Sequence, residues 1–161
     1  ALAAAIWQDL PGAQVLLCGS PQEHPVLEEI RVAAGDDPRM HNLGNELPIP
    51  RLLALIEEAH SMVSVDTGPA HAAAALGCPL VVMFGHASPL KWRPLGPNRV
   101  MVLRGERGDQ SEVRDLSAAQ VISAWRAAVA TEADVSHSHA SYRPGESVIV
   151  SAPGPSNPDD A

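Results

Sequence analysis

The stretch SVDTGPAHAAAALGCPLVVMFG, residues 64–85, decides how the rest of the chain is read. An apolar run stops at Asp66-Thr67-Gly68-Pro69-Ala70-His71. A small-residue segment follows, then Gly77-Cys78-Pro79, then a second apolar run ending at Phe84-Gly85. The pattern predicts a strand over Met62–Val65, a helix over Pro69–Leu76 and a strand over Pro79–Phe84. Gly68 allows close approach to the backbone, and Pro69 suits a first helical position, where no amide is missed. Ala70 and Ala72 to Ala75 let the helix lie close on a sheet.

Working outward, strands and helices alternate. Ala1–Leu10 reads as the end of a helix stopped by Pro11-Gly12, and Gln14–Cys18 as a buried strand broken by Gly19-Ser20-Pro21. Pro25–Ala34 reads as a helix with Val26, Leu27, Ile30 and Ala33 on its apolar face. Met40–Leu43 is a short strand. A helix follows Pro48-Ile49-Pro50 to about His60, with Leu52, Leu53, Ile56 and Ala59 as its stripe. Arg99–Leu103 is a weaker strand. Ser117–Ala130 is the best-marked helix, with a capping box from Ser117 to Gln120 and with Val121, Trp125, Ala128 and Val129 on one face. This order predicts an α/β fold with a doubly wound, mostly parallel, Rossmann-like sheet. It spans residues 1–133, with ligands expected at the carboxyl ends of the strands. From Asp134 the composition turns to Ser, His, Pro and Gly, so residues 134–161 are expected to be a mostly disordered tail. The short Ser147–Val150 run is expected, at most, to pair at a sheet edge.

The bulk numbers limit the function. The chain has 161 residues, 45% apolar and 3% aromatic, so its core must be built from Leu, Val, Ile and Ala. A net charge of -8 argues against a nucleic-acid binder, which would present a basic face. No apolar run is long enough for a membrane span. The first ten residues lack the basic region of a signal peptide. The sequence opens without Met, as expected of a processed start or a piece of a longer chain. Cys18 and Cys78 match no zinc or redox spacing and read as buried reduced thiols, which fits a cytoplasmic setting.

The Asp66–His71 turn carries the chemistry. A helix start leaves backbone amides without partners and carries partial positive charge, which suits an anion. Thr67 can cap the helix or give its hydroxyl to a phosphate oxygen. His71, in the first turn, can donate one hydrogen bond in either protonation state. Asp66 would repel phosphate, and is better suited to holding loop amides or accepting from sugar hydroxyls. Each residue alone also has an ordinary reading, as a helix cap or a surface histidine. Asp66 and His71 offer a metal no third ligand nearby, so no metal is expected. Gly19 and Gly85 follow other strands, so two or three strand ends point loops at one crevice.

Residues Val65–Gly85, with VLLCGSPQEHPVLEEI upstream and HASPLKWRPLGP (His86–Pro97) downstream, resemble glycosyltransferase family 9, the ADP-heptose:lipopolysaccharide heptosyltransferases. The similarity spans about Ala1 to Ala130. It implies the carboxyl-terminal, donor-binding half of a two-domain GT-B enzyme that transfers heptose from ADP-heptose, with inversion, to the inner core of lipopolysaccharide. Carried over by position, Asp66 meets the sugar, Thr67 and Gly68 the diphosphate, and His71 the same region. Glu23, beyond Gly19, falls where the family places an acid on the nucleotide ribose. The resemblance implies no tightly held metal or other cofactor, and a peripheral place at the inner membrane.

Against the family pattern, the first strand of this domain and a lysine-bearing loop are missing ahead of Ala1, as is the acceptor domain that supplies the general base. No residue here is therefore assigned as that base, and an unpaired edge or groove in the sheet is expected, open to aggregation or dimerisation. His86 stands where relatives often have proline, and reads as a loop residue or a ligand contact. Lys91 and Arg93 read as solvated, and Trp92 as packing its loop against the domain. His137 and His139 read as tail. The competing readings are a nucleotide-binding module without catalysis and another GT-B sugar enzyme, such as a nucleotide-sugar epimerase.

Overall fold

A computed structural model describes residues 1–44, 47–130 and 148–151. Helix α1 (Leu2–Asp9) leads into β1 (Val15–Cys18), and α2 (His24–Ala33) into β2 (Met40–Asn42). Next come α3 (Ile49–Glu58), β3 (Ser61–Val65), α4 (Gly68–Ala75), β4 (Leu80–Phe84), α5 (Pro89–Trp92), β5 (Val100–Arg104), α6 (Ala118–Val129) and β6 (Val148–Ser151). The six strands form one sheet in the order β2-β1-β6-β3-β4-β5, and every pairing is parallel. The expected α/β, doubly wound architecture is present, with each strand end within one or two residues of its expected place.

The strands are apolar on both faces because helices cover both. Side chains alternate along each strand. Val15, Leu17, Val63, Val81 and Val148 face a core closed by α1, α2 and α6. Leu16, Met62, Leu80, Val82 and Ile149 face the core closed by α3 and α4. Trp125 of α6 is the largest buried side chain, and its Nε1 donates to the buried Ser61 Oγ at 3.0 Å. The capping box of α6 is formed as read. Gln120 N donates to Ser117 Oγ at 3.3 Å, and Ser117 N to Gln120 Oε1 at 2.8 Å. Ala70, Ala73 and Ala74 are the buried residues of α4, so this helix has no bulk to hold it off the sheet.

Two helical faces differ from expectation. In α2 only Leu27 is buried; Val26, Ile30 and Ala33 are exposed. In α3 Leu53 is exposed, and Leu55 packs with Leu52 and Ala59 around the buried Ile56. Helix α2 packs against the short edge strand β2, which offers it little surface, whereas α3 packs against α4.

The largest correction concerns β6. The Val148–Val150 run is no edge strand: it lies between β1 and β3 and pairs with both. Val148 and Ile149 are fully buried. The position between β1 and β3 is therefore filled from the carboxyl-terminal side of the chain. The rest of 134–161, with His137 and His139, lies outside the described residues. Among the described residues no helix is long and apolar enough to cross a membrane.

Candidate functional site

The sheet order places the candidate residues. From β1 the chain moves outward to β2, and from β3 outward the other way to β4, so winding reverses across β6. The loops after β1 and β3 thus flank one strand, about 10 Å apart at ordinary strand spacing. Cys18 pairs with Ser151 in register, so β6 ends level with β1 at the same edge.

After β3, Thr67 is extended (φ -145°, ψ 168°) and stands at the N-cap of α4, yet its side chain does not cap the helix. Its Oγ1 donates back to the Val65 carbonyl at 3.3 Å. Ser64 Oγ donates to the same carbonyl at 2.8 Å and lies 3.4 Å from Thr67 Oγ1. The amides of Ala70 and His71 are engaged by the Thr67 carbonyl, and Pro69 has none. This leaves the amides of Thr67 and Gly68 with no protein acceptor among the described residues. Gly68 is exposed, and a Cβ added there would meet nothing within 4 Å. Its φ is not positive, so glycine here serves approach rather than backbone conformation.

Asp66 Oδ1 lies 3.6 Å from His71 Nε2, with side chains 19% and 47% exposed. That separation exceeds a hydrogen bond, so both groups keep capacity for a third partner. The turn thus gathers two free amides, a half-buried carboxylate and an imidazole around open space.

The loop after β1 is built differently. Glu23 Oε2 accepts from the Ser20 amide at 2.6 Å. Gly19 is wedged against this acid: an added Cβ would lie 3.0 Å from Leu27 Cδ1 and 3.1 Å from Glu23 Oε2. Glu23 therefore holds its own loop, and its other oxygen has no hydrogen bond among the described residues. The Ser20 hydroxyl is buried without a partner among the described residues.

The third strand end is covered. Gly85 lies under Ser111–Val113, with the Ser111 carbonyl 3.6 Å from where its Cβ would be. Arg104, at the end of β5, donates to the carbonyls of Gly85 and His86 and pairs with Asp109 at 2.8 Å. The chain from Gly105 to Leu116 thus closes this part of the edge. Sequence reasoning missed this loop, and missed Ser64 and Arg104; the only signals were single polar residues in apolar runs.

Cys18 and Cys78 are free, buried thiols, and burial pushes each up to about 12. Neither is a thiolate near neutrality, so neither is a nucleophile. His86, Lys91 and Arg93 are exposed. Trp92 does not pack its loop down as expected: it is 58% exposed.

Comparison with known proteins accords with this arrangement. A family model described as glycosyltransferase family 9 (heptosyltransferase) matches residues 2–122. The chain is 32% identical over 96 residues to lipopolysaccharide heptosyltransferase 3 of Escherichia coli, covering 59% of this chain and 28% of that protein. It is 33% identical over 105 residues to lipooligosaccharide heptosyltransferase 2 of Haemophilus influenzae, covering 64% and 30%. Among solved structures, the ADP-heptose LPS heptosyltransferase II of E. coli superposes with a TM-score of 0.65 at 30% identity, over 73% of this chain and 36% of that one. The chain thus spans under a third of the length of these curated relatives.

Proposed function

The chain belongs to glycosyltransferase family 9 (heptosyltransferase), and from that premise we propose that it forms the donor half of an enzyme transferring heptose from ADP-heptose to the inner core of lipopolysaccharide. The observation that carries this reading is the pair of amides at Thr67 and Gly68 that have no partner among the described residues, beside open space at the reversal of the sheet.

In this reading those amides receive the diphosphate oxygens, and the start of α4 adds its partial positive charge. Asp66 accepts from sugar hydroxyls, while His71 donates to the same ligand. Glu23, steadied through Ser20 N, and Gly19 beside it border the nucleoside. The acceptor hydroxyl attacks the anomeric carbon opposite the diphosphate. The bond from sugar to diphosphate breaks, ADP leaves with the electron pair, and configuration inverts. Negative charge grows on the leaving ADP, where fixed amides stabilise it without reorganising. The proton goes to a base that we assign to the acceptor domain of the longer enzyme rather than to any described residue here. Cytoplasmic action at the inner membrane face follows from the same proposal.

Calorimetric titration tests it. The chain should bind ADP in preference to UDP. Asp66→Ala should weaken ADP-heptose about tenfold or more, the loss of a hydrogen bond to a charged group, and ADP far less. Equal loss on both ligands would remove Asp66 from the sugar, and a preference for UDP would sink the donor assignment.

A further inference from the structure

One surface feature is unused by the donor reading. Leu90, Lys91, Trp92 and Arg93 are four consecutive exposed residues, so the single turn of α5 stands proud of the sheet. Leu90 is 95% exposed, Trp92 58% and, just beyond, Leu95 75%. The loop is anchored rather than loose. Gly96 packs so closely on the backbone of Ala74 that a Cβ would overlap it, and Asn98 donates to the Gly77 carbonyl. That brings the loop against the end of α4, where Leu76 is also exposed. Three large apolar side chains held out in water by an anchored loop are unfavourable unless something covers them.

Charge indicates what covers them. The chain is acidic overall, at -8, yet no Asp or Glu occurs between Asp66 and Glu106, whereas Lys91, Arg93, Arg99 and Arg104 do. Arg104 pairs with Asp109, and Arg99 donates to the Ala127 carbonyl. Lys91 and Arg93 make no ion pair among the described residues. Two unpaired cations interleaved with Leu, Trp and Leu match an anionic bilayer surface. Leucine and tryptophan enter the headgroup boundary there, while Lys and Arg meet lipid phosphate. We propose that Leu90–Leu95 is a docking loop for an anionic membrane, with the acidic remainder of the chain held toward water by repulsion. The proposal does not depend on the donor site, and its test contains no nucleotide.

The full chain is sedimented with vesicles of phosphatidylcholine alone, or of equal parts phosphatidylcholine and phosphatidylglycerol. Binding is expected to the mixed vesicles only, and to weaken as salt is raised. Lys91→Gln with Arg93→Gln should weaken it about 25-fold, from about fivefold per cation. Leu90→Ser with Trp92→Ser should abolish it with little change in the thermal midpoint, since Leu90 is almost wholly, and Trp92 more than half, in water. Tryptophan emission should shift blue on binding, and Trp92→Phe should remove that shift. Should the serine pair fail to fold, the glutamine pair carries the test alone. Absence of binding, equal binding to neutral vesicles, or unchanged binding by the variants overturns the proposal. So does a dimer in light scattering that Leu90→Ser with Trp92→Ser dissociates, since the patch would then cover a second copy.

Discussion

After β1 the chain closes on itself. Glu23 receives the Ser20 amide, and Gly19 is wedged between Glu23 and Leu27. After β3, at the same edge, it does the opposite. Thr67 turns its hydroxyl back to Val65, two amides are left without acceptors among the described residues, and a Cβ at Gly68 would meet no described atom. Both are glycine-bearing turns between a parallel strand and a helix. The difference teaches that a turn of this kind offers backbone donors only where its own side chains leave them unsatisfied; the β1 turn offers a side-chain oxygen instead. β6, lying between β1 and β3, holds the two loops at their spacing.

The most severe way to break the comparison is to remove that spacer. Ile149 is fully buried in the middle of the sheet, so Ile149→Asp places a carboxylate where no water reaches. A loss of more than about 4 kcal/mol is expected, enough to abolish cooperative urea unfolding. A cooperative transition surviving in this variant would mean that β6 does not hold the sheet together.

The two glycines sharpen the contrast next. Gly19→Ala should lower stability by about 1–2 kcal/mol, because its Cβ is forced onto Leu27 and Glu23. Gly68→Ala should leave stability within about 0.5 kcal/mol, since the added methyl meets no protein atom. It should nonetheless weaken ADP about tenfold by obstructing approach to the amides. Urea titration and calorimetry on the same two variants check both halves; equal behaviour would erase the distinction between the loops.

Glu23→Gln is a milder change. It replaces a charge-assisted acceptor for Ser20 N with a neutral one, costing about 0.5–1 kcal/mol in chemical unfolding.

The smallest effect is electrostatic and lies on the β1 side. Hydrogen bonds from Arg31, then from Asn42, hold Glu28 at about 2, below its ordinary 4.5. A depressed folded value contributes stability that is fully present above about 4.5 and is lost as pH falls toward 2. The midpoint should therefore fall across that window, and Glu28→Gln should flatten part of the fall. The pair is exposed and screened, so the change is small.

Much of this was legible in the sequence. The capping box of α6 is visible in Ser117 and Gln120 because capping is local chemistry between residues three apart. The Asp66–His71 turn was legible for the same reason. Its details were not: Thr67 has a cap and a carbonyl within reach, and only the backbone conformation chooses. The covering of Gly85 by Ser111–Val113 joins residues far apart in sequence and left no local trace.

Residues 61–85 by themselves determined a strand, a tight turn, a small-residue helix and a second strand, because propensity, capping and periodicity act over a few neighbouring residues. They also determined that the turn falls at a strand's carboxyl end. Only the tertiary structure decided that Val148–Ser151 lies between β1 and β3, and that Trp92 faces water. A four-residue apolar run states that it must be buried, but which gap it fills depends on which backbone groups the rest of the sheet leaves unpaired. A side chain's exposure, likewise, depends on neighbours that only the folded chain brings near.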